Sequence, residues 1–261
     1  MSFTDSHAHL DDSRFDSNRE AVVERARAAG VTRILTITEA TQPTAVEKTM
    51  VLVSEHNFLW TALGVHPHEA RHATGALFDE VENLAQQPRV LAWGEIGLDY
   101  HYDHPPRDVQ RAMFREQLQH AQSLRLPVII HCREAWDDCL RILEEEWATS
   151  GLGGILHCFS GTSEIARRAL DWGFLISFAG NVTFPRGEAL RAAAAAVPLE
   201  HLLIETDCPY LAPQAARGKR NEPAFVVEVA AELGRLRGMS RDEIGARTTE
   251  NFLRLFPRAH T

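Results

Sequence analysis

Six side chains of the kinds that bind divalent metals, His7, His9, Glu95, His131, His157 and Asp207, each stand at or just past the downstream end of a short apolar run. His7 and His9 are separated by one residue, and in a strand such positions point to the same face, so the pair can offer two imidazoles to one centre. An isolated His-x-His is equally at home on a loop, so the other four positions decide its meaning. Four imidazoles with a glutamate and an aspartate exceed what one tetrahedral ion takes. Two divalent ions roughly 3.5–4 Å apart can share them through a bridging carboxylate. Glu95 is the natural bridge, because the glycines of Gly94-Glu-Ile-Gly97 would let ions and backbone approach closely; the competing role is a helix cap or an arginine partner. Asp207 can ligate one ion and also take a proton from the attacking water. Glu205, two residues earlier and on the same face by alternation, is either a catalytic group or a deeper carboxylate that orients a ligand or water or is satisfied by hydrogen bonds alone.

These residues need a scaffold that gathers strand ends. Apolar strand-like runs occur at 3–10, 33–38, 59–65, 90–98, 127–132, 154–159, 174–179 and 201–207. Between them lie helical periodicities at 18–29, 43–55, 77–86, 109–124, 135–149, 163–172 and 188–196, and the chain closes with 224–237 and 241–256. Near-continuous apolar strands alternating with amphipathic helices imply a parallel sheet with helices outside it. Eight such units in about 250 residues is the size of a (β/α)8 TIM barrel, here one domain over residues 1–261. A doubly wound open sheet is the rival, but it would put its ligands at one crevice. Ligands after strands one, four, five, six and eight come together only if the sheet closes, at the C-terminal face where sites of this fold sit.

Composition sets limits. The 261 residues are 44% hydrophobic, enough for a large core, and no run approaches the roughly 18 apolar residues of a membrane span. The start of the chain has no basic region followed by an apolar segment, so no leader is expected. Cys132, Cys139, Cys158 and Cys208 are spaced for neither disulfides nor zinc. Alternation turns Cys132 and Cys158 outward as buried packing thiols, and the expected compartment is the cytoplasm. Some barrel hydrolases bridge their metals with a carbamylated lysine, but Lys48 and Lys219 are the only lysines and neither ends a strand.

The segments Ser6-His-Ala-His-Leu10, Gly64-Val-His-Pro-His68, Gly94-Glu-Ile-Gly-Leu-Asp-Tyr100, Pro127-Val-Ile-Ile-His-Cys-Arg133, Leu156-His-Cys-Phe-Ser-Gly161, Glu205-Thr-Asp-Cys-Pro-Tyr210 and Arg217-Gly-Lys-Arg-Asn-Glu-Pro223 resemble the TatD family of metal-dependent deoxyribonucleases. They come in the family's order and cover almost the whole chain, and Thr249–Phe256 is similar to the family's last helix. The resemblance implies a metal-dependent phosphodiesterase of the amidohydrolase-like superfamily that releases nucleotides from DNA, in better-known members from 3′ ends. Carried over by position, one ion would be held by His7, His9 and Asp207 with Glu95 bridging, the other by Glu95, His131 and His157. The segment Pro213-Gln-Ala-Ala-Arg217 departs from the more hydrophobic loop common among relatives. Four imidazoles favour zinc, manganese or iron over magnesium, whereas family members resemble one another in being supported by magnesium, so the expectation is two divalent cations (Mg, Mn or Zn).

Substrate contacts are expected from Arg133 and His66, which could hold non-bridging phosphate oxygens; His66 could instead lock its loop and Arg133 pair with Glu134 or Asp137. Arg217 and Lys219, with Arg220, form the one dense basic cluster, suited to a nucleic-acid backbone or to solvent. His68, Asp99, Tyr100, His101 and Asn181 fall in loops on the same face, where Tyr100 could stack on a base. His56, His120 and His201 occupy ordinary positions. The net charge of −9 argues against tracking along duplex DNA and for a single strand or frayed end entering a metal-lined pocket. Two other readings stand beside the nuclease: a hydrolase of a small phosphoester, lactone or amide, and a non-catalytic metal-dependent binding protein. Strand polarity, RNA against DNA and oligomeric state, a monomer included, are open at this level.

Overall fold

The computed structural model describes residues 2–260. Strands and helices alternate as β1 (Phe3–Ala8), α1 (Arg19–Ala28), β2 (Val31–Glu39), α2 (Pro43–Glu55), β3 (Leu59–Gly64), α3 (Gly75–Ala85), β4 (Val90–Asp99), α4 (Arg107–Ser123), β5 (Val128–Arg133), α5 (Trp136–Glu146), β6 (Gly154–Leu156), α6 (Ser163–Leu170), β7 (Phe174–Phe178), α7 (Glu188–Ala196) and β8 (Leu202–Ile204), followed by α8 (Val226–Arg237) and α9 (Arg241–Leu255). The strands pair in parallel in the order β1 to β8. An Ala8–Cys208 bridge and the bonds His9 N–H to Cys208 O (2.8 Å) and Asp207 N–H to His7 O (2.9 Å) join the last strand's end to the first. The fold is a TIM barrel, and the open-sheet rival is excluded.

Local chemistry explains the element ends. Thr74 and Thr162 accept the backbone N–H groups of Leu77 and Ile165 at the starts of α3 and α6, and Ser240 with Glu243 forms a capping box on α9. Pro43 opens α2, where its missing N–H costs nothing. Gly238 closes α8 at φ +67°.

Two buried layers follow from strand alternation. One lies between sheet and helices and includes Phe3, Ile34, Trp93, Ile96, Leu98, Phe114, Trp147, Phe159 and Phe178. The other fills the barrel with Leu35, Ile37, Trp60, Ala62, Leu91, Ile129, Ile155, Leu175 and Leu203, and Phe252, Phe256 and Ala259 from α9 and the following turn belong to it. His131, His157 and Glu205 lie two residues beyond Ile129, Ile155 and Leu203 and so continue the inward series.

Two strands are shorter than the apolar runs suggest. β6 ends at Leu156 and β8 at Ile204, so Cys158 and Asp207 lie past the ladder with φ of +42° and +55°. Alternation no longer governs Cys158, which is half-buried rather than a buried packing thiol, whereas Cys132, Cys139 and Cys208 are buried.

Candidate metal centre

Glu95 stands at the middle of the cluster with its two oxygens facing different groups. Its Oε2 lies 3.3 Å from His7 Nε2 and 4.0 Å from His9 Nε2, and Asp207 Oδ1 lies 3.4 Å from His9 Nε2 and 3.7 Å from His7 Nε2. Its Oε1 lies 2.7 Å from His131 Nδ1 and 2.7 Å from His157 Nε2. Four imidazoles thus converge on one buried carboxylate, and Asp207 joins the cluster through His7 and His9. His66 brings a further nitrogen, Nε2, to 3.7 Å from Glu95 Oε1, while its Nδ1 accepts the backbone N–H of His68.

The backbone makes this convergence possible at Gly97, which sits opposite His131 in the β4–β5 ladder with φ +140°. A Cβ there would lie 2.0 Å from the His131 carbonyl oxygen. Asp207 is placed by different means. Thr206 donates its N–H and hydroxyl to the two carboxylate oxygens of Asp5 (2.8 and 2.6 Å), and Asn221 Nδ2 donates to Thr206 O (2.8 Å). Burial pushes the Asp5 carboxyl up to about 8 against these bonds.

Carboxylates hold the imidazole rings from behind. Glu205 is fully buried; its Oε1 accepts the backbone N–H of Cys158 at 2.8 Å and lies 3.2 Å from His157 Nδ1. The arrangement is that of a group orienting His157, whose Nε2 then faces Glu95. Asp99 performs the same service for His131. Its Oδ2 lies 3.2 Å from His131 Nε2 and 3.0 Å from His68 Nε2, and its Oδ1 accepts the N–H groups of His101 and Tyr102. The sequence placed Asp99 only among loop residues on this face. The signal was available, because Asp99 lies four residues after Glu95 and alternation returns it to the same side.

Electrostatics follow from packing carboxylates among imidazoles. Burial alone would raise Glu95, but His157, His7 and His131 hold it well below the ordinary carboxylate range. Asp207 is likewise lowered, burial being outweighed by His9 and His157. Burial pulls His9 down, yet Asp207 and Glu95 lift it to about 9, and Glu95 and Glu205 lift His157 well above its usual value. His7 and His66 go the other way, with burial dominant.

The donor set fits cations. His7 Nε2 and His9 Nε2 face each other at 3.2 Å, as do His157 Nε2 and His131 Nδ1 at 3.4 Å; each pair can share only one proton, whereas a cation satisfies both lone pairs. His7, His9 and Glu95 form one group with ligand atoms within 4.8 Å of one another, and His66, Glu95 and His131 form another.

The expected substrate groups lie around this centre. Arg133 is exposed with its guanidinium over Tyr102; among the described residues it pairs with neither Glu134, which takes His101 (2.8 Å), nor Asp137. Arg217 lies over the Phe184 ring, and with Arg14, Lys219 and Arg220 it lines a cavity of about 580 Å³ beside Pro209. Tyr100 is not open for stacking. It is half-buried, and its hydroxyl donates to Asp138 at 2.6 Å and accepts from Arg111 at 3.3 Å. Another cavity, of about 500 Å³, opens at the strand starts among Leu91, Pro127, Gly153 and His201, and none of the six converging residues lines it.

A barrel with imidazoles and carboxylates gathered at its C-terminal mouth is the architecture of a metal-dependent hydrolase. The chain belongs to the TatD-related DNase family, whose model matches residues 4–257. It is 42% identical over 252 residues to the uncharacterized metal-dependent hydrolase YabD of Bacillus subtilis, covering 97% of this chain and 98% of that one. It is 37% identical over 253 residues to the 3′-5′ ssDNA/RNA exonuclease TatD of a Rahnella species, covering 95% of each. The crystal structure of the TatD homolog YJJV from Escherichia coli superposes with a TM-score of 0.90 at 32% identity over 98% of both chains.

Proposed function

We propose that this protein is a metal-dependent deoxyribonuclease that removes nucleotides from the 3′ end of single-stranded or frayed DNA. The observation that carries this reading is Glu95, set between two nitrogen-rich groups with one oxygen toward each. His7, His9 and Asp207 would hold one divalent cation and His131 and His157 another, with Glu95 shared between them. Such cations, Mg, Mn or Zn, supply Lewis acidity toward a phosphodiester and make a nearby water acidic at neutral pH.

The chain's own groups do the rest. Asp207, kept ionised by the imidazoles around it, accepts the proton of the attacking water at Oδ2 while Oδ1 stays with His7 and His9. The water oxygen bonds to phosphorus, the P–O bond to the leaving sugar breaks, and that oxygen takes up a proton. Glu205 and Asp99 fix the His157 and His131 rings. His66 and Arg133 neutralise the non-bridging oxygens, and Arg217 and Lys219 hold the adjoining backbone. The Rahnella exonuclease named above supports a nucleic-acid substrate and the 3′ polarity. A single-domain, cytoplasmic protein is the organisation we assign.

The test is degradation of an end-labelled single-stranded deoxyoligonucleotide by metal-stripped protein with magnesium, manganese or zinc restored, beside Asp207→Asn. Stepwise, metal-dependent shortening with a loss of roughly 10²–10⁴-fold in the variant is expected. An intact strand with wild type in all three metals refutes the nuclease and turns attention to small esters and amides.

A further inference from the structure

Among the described residues, the large hydrophobic side chains standing open to solvent are Val51, Tyr102 and Tyr210. Val51 is on α2, but both tyrosines are at the mouth of the barrel. Tyr102 follows β4 and is 53% exposed; Tyr210 follows β8 and is 49% exposed. In an eight-stranded ring β4 and β8 are half a turn apart, so the two rings flank the metal centre from opposite sides. Tyr210, His9, His7, His157, His131, His68 and Tyr102 form an unbroken series of rings, each centroid within 6.4 Å of the next.

Each tyrosine also has a cation on it. Arg14 lies 4.2 Å from the Tyr210 centroid and Arg133 4.9 Å from that of Tyr102. Tyr102 further lies parallel to the exposed His104 ring, their centroids 5.7 Å apart. The basic cavity of Arg14, Arg217, Lys219 and Arg220, with no carboxylate in its lining, adjoins Tyr210. Aromatic faces beside cations at a phosphate-handling centre are what an unpaired nucleotide requires: a flat surface for the base and positive charge for the backbone. The chemistry assigned above uses neither ring.

We propose that Tyr102 and Tyr210 are stacking platforms for the nucleobases on the two sides of the scissile phosphodiester, so that the site takes unpaired strands of any sequence. This rests on the nuclease reading. In a duplex both faces of each base are covered by its neighbours, and reaching the tyrosines would require unstacking them. Stacking reads no hydrogen-bond pattern, because every base has a π-face.

The experiment is steady-state cleavage of short single-stranded deoxyoligonucleotides by the metal-loaded wild type, Tyr102→Ala, Tyr210→Ala and the phenylalanine variant at each position. The substrates carry either all four bases or one baseless sugar immediately on one side or the other of the terminal bond. Each alanine variant is expected to raise KM roughly 5- to 150-fold, and phenylalanine to restore it. Removing a base should penalise the wild type but not the variant lacking the tyrosine on that side, and the two variants should answer to opposite sides. Alanine variants with wild-type KM, or a baseless-site penalty undiminished in both, overturn the platforms while leaving the nuclease standing. A wild type that cleaves none of the strands overturns the nuclease reading itself, and the platforms with it.

Discussion

Replacing Asp99 with asparagine separates the charge of this carboxylate from its shape. Asp99 Oδ1 accepts two backbone N–H groups, and Oδ2 faces His131 Nε2 at 3.2 Å and His68 Nε2 at 3.0 Å. Burial disfavours its charge, but His131, His68 and the Tyr102 N–H hold it far below the usual carboxylate range, so it is an anion at neutral pH. With a cation bound beside Glu95, Asp99 as an acceptor would keep the His131 proton on Nε2 and leave the Nδ1 lone pair for the cation. An asparagine can keep an oxygen on the two backbone donors, but then turns an NH2 toward Nε2. The His131 proton would then be held on Nδ1, bonded to Glu95 Oε1 across the present 2.7 Å, and the ring would compete poorly as a ligand there. Loss of such an orienting carboxylate costs about 10- to 100-fold in metal affinity, or about 1.4–2.7 kcal/mol. Titration of zinc or manganese into stripped protein against a chromogenic chelator measures it, with circular dichroism to verify the fold. A folded variant whose metal affinities equal those of wild type would refute the argument.

Two other perturbations test the frame around the centre. Burial lifts Glu39 from an ordinary 4.5 to about 7, against the bonds it accepts from Thr41 and His66. The folded state therefore holds this proton more tightly than the unfolded chain. The group's contribution is full below pH 4.5 and is lost as pH rises through 7, so urea midpoints measured across that window should fall more steeply for wild type than for Glu39→Gln. Gly97→Ala forces a Cβ against the His131 carbonyl at φ +140° and should destabilise by about 1–3 kcal/mol or more, read as a lower urea midpoint; an unchanged midpoint would show that β4 can shift without loss.

Much of this was legible because alternation and strand ends are local properties. The eight apolar runs, the parallel order and the convergence of His7, His9, Glu95, His131, His157 and Asp207 all follow from where polar residues interrupt hydrophobic runs. Side-chain engagement beyond the strands was not legible. Tyr100 and Tyr102 are near neighbours of the same type, and only the fold shows that the first is half-buried with its hydroxyl on Asp138 while the second is exposed beside Arg133 and His104. Alternation puts Asp99 on the side of Glu95, but its engagement with His131 of β5 and with His68 in the turn after β3 is visible only in the fold. Cys158 departs from the alternation of its apolar run because β6 stops at Leu156.

The seam between the first and last strands has a consequence for how the protein is made. His7 and Asp207 are held in place by each other's backbone, through Asp207 N–H to His7 O, and by Asp5 bonding to Thr206. A chain emerging from the ribosome carries its first two imidazoles from the start, yet their carboxylate partner arrives only after seven βα units have been synthesised. The growing chain therefore cannot complete the cluster before β8 is made, and a cation held by the full cluster would favour the closed ring over any unsealed form by mass action.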